Sequence, residues 1–233
     1  MNTLSINGTA LANIYVDASL SINKPERSAD VVAIPGRSGN LILDNKKFSN
    51  VTISYPCYAK ENFVSTFETI VNTLGALAGY QRISCSADAN HFRLGRVIIP
   101  ATPTAHRINK DGFFNLAFDC KPQRYLTSGE TVVTKNASGS ISNPTNFASQ
   151  PLIRIYGTGI FTINGTGITV ASHGQSYVDI DCEMMDCYCG TVSLNSYITF
   201  SGNDFPTLAP GSNSFTFGTG ITQVRITPRW WEL

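Results

Sequence analysis

The chain has 233 residues, with 17 Lys and Arg against 16 Asp and Glu, so its formal net charge is +1. Near neutrality removes nucleic acid and anionic membrane surfaces as principal partners, because both select a basic face. A hydrophobic fraction of 42% excludes a disordered chain, while a charged fraction of 14%, against roughly 25% in ordinary globular domains, leaves the polar surface to Ser, Thr and Asn.

The first segment, Met1 to Ile22, alternates apolar and polar residues, as in Ser19-Leu20-Ser21-Ile22. It has neither the basic start nor the continuous apolar stretch of an export signal. No run of about 18 apolar residues occurs anywhere, so no membrane-spanning helix is predicted. The six cysteines, Cys57, Cys85, Cys120, Cys182, Cys187 and Cys189, are expected to be free thiols of a protein made in a reducing compartment. Cys85 and Cys120 occupy apolar positions of alternating segments and read as core filler.

Period-two alternation continues through Leu41 and Leu43, with Asp44-Asn45 predicted as a tight hairpin turn before Lys46. It returns at Val51, Ile53 and Tyr55, at Ile83 and Cys85, at Phe92 and Leu94, and at Val97 and Ile99. Phe114, Leu116, Phe118 and Cys120 form the clearest strand of the first half. Such alternation predicts half-buried antiparallel strands. One segment differs: Phe63, Phe67, Ile70, Val71, Leu74 and Leu77 recur at helical spacing, which predicts an amphipathic helix over about 60–78. Glu61 is placed at its start, where it suits the helix dipole, and Gly79 at its stop.

Beyond Leu126–Thr127 the texture turns to Ser, Thr, Asn and Gly, so a domain boundary is placed there, dividing 1–126 from 127–233. Short strands are predicted at Leu152–Tyr156, Phe161–Asn164, Ile168–Ala171, Tyr177–Cys182, Ser214–Phe217 and Val224–Thr227. Gly-Thr-Gly-Ile occurs three times, beginning at Gly157, Gly165 and Gly218, and reads as hairpin turns that use the freedom of glycine at positive φ. The second half is therefore expected to be a small β-sandwich.

Catalytic and metal chemistry find little support. His91, His106 and His173 are isolated, and Gly36-Arg37-Ser38-Gly39 lacks the second glycine spacing of a nucleophile elbow. Asp179, Asp181 and Glu183 alternate, with Asp186 beyond them. A calcium site or a glycosidase acid pair is one possibility and a solvated strand face the preferred one. Cys182, Cys187 and Cys189 have no second cysteine pair to complete a zinc site. Trp230 and Trp231 are adjacent, so on a strand they point to opposite faces and form no single sugar-stacking platform. Val224, Ile226, Pro228 and Trp230 are assigned to the core face, with Trp231 turned toward the other domain or a partner.

Several segments recur in a distinctive order. Ile34-Pro35-Gly36-Arg37-Ser38-Gly39-Asn40-Leu41 precedes a hairpin, Asn50–Tyr55 and the single helix. Phe114–Phe118 and Pro122 follow, then Phe205–Asn213, and the chain closes on Ile226-Thr227-Pro228-Arg229-Trp230-Trp231-Glu232-Leu233. In this order they resemble the distal tail protein (Dit) family of long-tailed, non-contractile bacteriophages. The resemblance implies a mainly β fold, with an N-terminal belt domain carrying one helix and a C-terminal galectin-like β-sandwich. It implies a non-enzymatic virion component at the tail tip, assembled in the host cytoplasm without cofactor or metal. There it would form a homohexameric ring that joins the tail tube and tape-measure proteins to a tail-associated lysin or receptor-binding proteins, around a channel for DNA. The oligomer and packing signature implied is Gly36, Arg37, Ser38, Gly39, Lys46, Lys47, Pro228, Arg229, Trp230 and Trp231, with Arg37, Lys46 and Lys47 at a polar rim. Some relatives insert a carbohydrate-binding module for which this chain has no room. A galectin-like protein binding host cell-wall carbohydrate is the alternative.

Overall fold

The structure is a computed structural model that describes residues 2–17, 23–98, 104–105, 110–202 and 204–233. The alternation at Ser19–Ile22, the apolar position Ile99 and His106 lie outside the described residues. The chain divides into two compact units, Met1–Arg124 with Leu233, and Tyr125–Glu232. It is mainly β, with one α-helix among the described residues.

The first unit contains β1 (Leu4–Ile6), β2 (Thr9–Ala10), β3 (Ile14–Val16), β4 (Arg27–Val32), β5 (Leu41–Phe48), β6 (Val51–Ala59) and α1 (Phe63–Gly75). It continues through β7 (Gln81–Cys85), β8 (His91–Ile98), β9 (Thr104–Ala105) and β10 (Gly112–Leu126). One sheet runs β2-β1-β7-β8-β10-β6-β3, with β9 also on β10; β4 and β5 form a separate two-stranded sheet. In the β6–β10 pair Cys57 faces Phe114, Tyr55 faces Leu116, Ile53 faces Phe118 and Val51 faces Cys120. All eight are buried, because a period-two pattern puts alternate residues of both strands on one covered face.

The covering element is α1. Phe63, Ile70 and Leu74 are buried, with Phe67 and Leu77 packed beside them. Phe67 meets Phe114 edge-on at 5.3 Å. The helix is shorter at both ends than its periodicity predicts. Asn62 takes a left-handed conformation (φ 49°) that stops the helix from reaching Glu61, which lies outside it, and the last turn closes at Ala76, whose N–H donates to the Asn72 carbonyl. Buried thiols fill this core as predicted. Burial pushes Cys57 and Cys120 up to about 12, so both stay protonated and unreactive.

Strand β8 departs from the predicted facing. Ile83 of β7 lies opposite Arg93, and Arg93 is buried. Gly95 shares that inward side, where an added Cβ would sit 2.7 Å from Cys120 Sγ. Phe92 and Leu94 therefore occupy the other side of the strand.

The second unit contains β11 (Val133–Lys135), β12 (Gly139–Asn143), β13 (Leu152–Gly157), β14 (Gly159–Ile163), β15 (Thr166–Val170), β16 (Val178–Asp181) and β17 (Asp186–Cys189). It ends with β18 (Val192–Ser193), β19 (Ile198–Phe200), β20 (Gly211–Phe217), β21 (Ile221–Thr227) and β22 (Trp231–Glu232). Two sheets, β11-β21-β13-β16-β17-β18 and β12-β20-β14-β15-β19, enclose one core. Ile153, Ile155, Val178, Ile180, Val224 and Ile226 face it from the first sheet; Phe161, Ile163, Ile168, Val170 and Phe215 face it from the second.

The three Gly-Thr-Gly-Ile copies play two roles. Only the second is a hairpin turn: Asn164 and Gly165 (φ 48° and 83°) link β14 to β15 with Ile163 opposite Thr166. The first and third correct the hairpin expectation. They carry the chain from β13 to β14 and from β20 to β21, that is, from one sheet to the other, and they cross side by side. The Gly218 N–H donates to the Ile160 carbonyl at 2.7 Å. A Cβ on Gly157 would lie 2.1 Å from the Gly220 oxygen, on Gly159 2.2 Å from the Thr219 oxygen, and on Gly220 2.2 Å from the Thr158 oxygen. Two backbones approach this closely only where neither carries a side chain.

The acidic strand is also corrected. Asp179 and Asp181 are 4% and 3% exposed and do not form a solvated face. Arg154 grips Asp179 through Nε and Nη2, both at 2.7 Å, and its guanidinium lies 4.0 Å from the centre of the Tyr177 ring. Arg229 grips Asp181 at 2.7 and 2.8 Å. The core strand ends at Thr227, and Arg229 turns back to this pair in a left-handed conformation (φ 56°). Burial is the largest influence on Asp181 and pushes its carboxyl up, but the hydrogen bonds from Arg229 and from the Met184 and Glu183 N–H groups outweigh it and hold it below the ordinary carboxylate value.

Three outcomes follow for urea unfolding of the full chain. Gly220→Ala should cost at least about 3 kcal/mol, because its Cβ meets backbone oxygen, whereas Gly174→Ala, with a similar φ of 71° and open space, should cost about 1 kcal/mol; equal losses would contradict the paired crossing. Trp230→Ala should cost about 3–5 kcal/mol as a core truncation, and Trp231→Ala clearly less; the reverse order would refute the assigned facing. Asp181→Asn should cost about 3 kcal/mol at pH 7 by removing the bidentate carboxylate of Arg229 and leaving it only Glu183, 3.7 Å away. A carboxyl lowered in the fold stabilises above its unfolded value of about 4 and loses that contribution as pH falls through the folded value. The difference between Asp181→Asn and the parent should therefore close as pH falls through that lowered value, and a constant difference would contradict the ion pair.

Candidate assembly surface

The β4–β5 ribbon stands apart from both cores. The Ser49 N–H closes its base on the Glu26 carbonyl at 2.9 Å, and from Asp30 to Lys47 every residue is exposed. Val31 pairs with Ile42 and Val32 with Leu41, while Leu43 pairs with Asp30. Directly opposed residues share a face, so Val31 and Ile42 occupy one side, at 60% and 67% exposure, and Val32, Leu41 and Leu43 the other. Ile34 adds a sixth exposed apolar side chain at the tip. Both faces of one ribbon are thus apolar and open to solvent.

The ribbon's turn corrects the predicted one. Asp44-Asn45 lies inside β5, and the strands reverse over residues 33–40, where Gly36 and Gly39 take φ of 79° and 85° and the Arg37 N–H donates to the Ile34 carbonyl. Register passes from Ser28 opposite Lys47 to Ala29 opposite Asp44, so Asn45 and Lys46 bulge out of the ladder. Asp44 builds the bulge: it accepts from the Lys46 N–H at 3.0 Å and pairs with the Arg27 guanidinium. The Arg27 hydrogen bond, then that of the Lys46 N–H, brings its carboxyl down to about 2.

Six of the ten signature residues, Gly36, Arg37, Ser38, Gly39, Lys46 and Lys47, therefore lie on this one ribbon, flanking its apolar middle. The other four belong to the second unit. Pro228 and Trp230 are buried and Arg229 is committed to Asp181. Trp231, half-buried, stacks on Phe147 at 4.4 Å, and its Nε1–H donates to the Ala148 carbonyl. Of the carboxylates first weighed for acid–base chemistry, Asp179 and Asp181 are each held by a guanidinium, and Asp186 accepts from the Cys187 N–H and Asn195 Nδ2. No group of three or more His, Cys, Asp or Glu able to hold a metal occurs among the described residues. The apolar content of the ribbon was visible in Val31-Val32 and Leu41-Ile42-Leu43, but alternation alone did not distinguish a half-buried strand from one exposed on both sides.

No protein-family model and no curated protein sequence matches the chain. Solved structures do. The Dit protein of phage SPP1, described as a hub adsorption apparatus of phages that infect Gram-positive hosts, superposes with a TM-score of 0.71 at 14% identity, covering 97% of this chain and 98% of that one. Chains of the phage p2 baseplate in its activated conformation, determined with strontium and with calcium, superpose at TM-scores of 0.57 and 0.56 with 10% identity, covering 97% of both chains. Over nearly its whole length the chain shares the fold of these phage hub and baseplate proteins.

Proposed function

We propose that this protein is a structural, non-catalytic hub of a phage tail tip. In this reading six copies close a ring that joins the tail tube to lysin or receptor-binding proteins and leaves a channel for DNA. The observation that carries the reading is the apolar ribbon β4–β5, exposed on both faces in a chain whose fold matches a phage hub protein end to end. A two-stranded ribbon is marginal in water, and exposed apolar surface of this kind marks an interaction site. Ring closure needs head-to-tail contacts between two different surfaces of each subunit, which a projecting ribbon seated on its neighbour provides. Arg37, Lys46 and Lys47 would form the polar rim of that contact. Carbohydrate binding draws less support, since Trp230 is in the core and Trp231 is stacked on Phe147.

Light scattering of the full chain at tens of micromolar tests the proposal. The expected mass is about 150 kDa, six protomers of 25.2 kDa. Val31→Asp with Ile42→Asp should return it to the mass of one chain that is still folded and unfolds cooperatively, because both side chains are already exposed in the monomer. A parent chain that stays monomeric at all concentrations, or a double variant that assembles like the parent, would overturn it.

A further inference from the structure

Arg93 is a buried cation with no counterpart in the proposed assembly. Its side chain is 4% exposed, and neither Nη1 nor Nη2 has a hydrogen-bond partner among the described residues. Five donors on a planar fork carry a charge that is not relinquished in proteins. Left unpaired in an interior, such a charge costs several kcal/mol. A closed structure retains it only when something supplies the missing acceptor.

The nearest carboxylate is already taken. Asp88, on the short 3₁₀ turn Ser86–Asp88, holds His91 Nδ1 through Oδ1 at 2.7 Å, and its Oδ2 accepts from Arg124 Nη2 and Nε at 2.6 and 3.1 Å. Beside these groups lies a cavity of about 20 Å³, lined by Tyr55, Cys85, Asp88, His91, Arg93 and Arg124. A single water-sized guest needs roughly 10–15 Å³ measured in this way, so the space beside Arg93 seats one guest of the size of water or a halide ion. Two arginines against one aspartate leave a local excess of positive charge. Water would offer an acceptor without neutralising that charge, whereas a monatomic anion does both.

We propose that this cavity is a structural halide site in which one chloride ion, held by the Nη1 and Nη2 groups of Arg93, completes the interior between β7, β8 and β10. The ion would stand where a second carboxylate is missing. It would tie β8 and β10 to the 3₁₀ turn after β7 through the Arg93, Arg124 and Asp88 cluster. Burial, the largest influence on Arg93, lowers its affinity for the proton, the direction expected of a cation whose counter-charge is absent.

Two measurements on the full chain test the site. In crystals grown or soaked in sodium bromide, anomalous scattering at the bromine edge should place a peak in the cavity beside Arg93. In solution at constant ionic strength, replacing sodium gluconate with sodium chloride should raise the melting midpoint by about 3 °C per tenfold rise in chloride beyond half-saturation. Arg93→Met should abolish that response. Should Arg93→Met fail to fold, the gluconate-to-chloride comparison and the bromide peak in the parent chain decide the matter alone. No bromide peak in the cavity, or a parent midpoint that is the same in chloride and gluconate, would overturn the proposal. A peak without chloride-dependent melting would mark an adventitious ion only and would overturn it equally.

Discussion

Two paired strands have two faces and nothing of their own to cover either. In the β4–β5 ribbon that geometric fact meets a sequence placing Val31 and Ile42 on one side and Val32, Leu41 and Leu43 on the other. Elsewhere in the chain apolar strand faces are closed: by α1 over the β6–β10 face, and by one sheet against the other in the second unit. Among the described residues the ribbon carries the densest run of exposed apolar side chains, surface that the hydrophobic effect would stabilise if it were covered from outside the subunit. The Asp44 bulge fits this role, since a bulge increases local twist and interrupts the regular edge that would otherwise pair indiscriminately.

The second unit obtains its rigidity differently. Its two sheets are joined where both chains step across at the same place, and the step works because Gly157, Gly159, Gly218 and Gly220 leave room for backbone against backbone. Along the first of these sheets, two guanidinium–carboxylate pairs fix β16 to β13 and to the segment after β21. Bidentate pairs specify geometry as well as adding energy. Such pairs would be costly to break singly, because each would leave a buried charge uncompensated.

Much of this was legible in the sequence, for identifiable reasons. The strands β6 and β10 and the helix declared themselves because each buries one face, and a half-buried element writes its period into the residues. The six sandwich strands that were predicted fall nearly where they were placed, for the same reason, whereas β11, β12, β17, β18 and β19 were not read from the sequence. Arg93, Asp179 and Asp181 were not placed correctly, because hydropathy assigns a charged residue to solvent. The burial of the two aspartates depends on partners as distant as the 25 residues from Arg154 to Asp179 and the 48 from Asp181 to Arg229. The glycine crossing was missed because a turn and a close approach require the same residue. Asp44-Asn45 was misplaced because a bulge uses turn chemistry inside a strand.

Hydrogen exchange of the full chain as a function of its own concentration addresses the central claim most directly, because it reads the ribbon's backbone rather than the mass of the particle. The account predicts that amides of residues 27–48 exchange freely in dilute protein and become protected as concentration rises, while α1 and the sandwich strands keep constant protection. Ribbon amides that remain unprotected at every concentration, or that are fully protected in the isolated subunit, would contradict it.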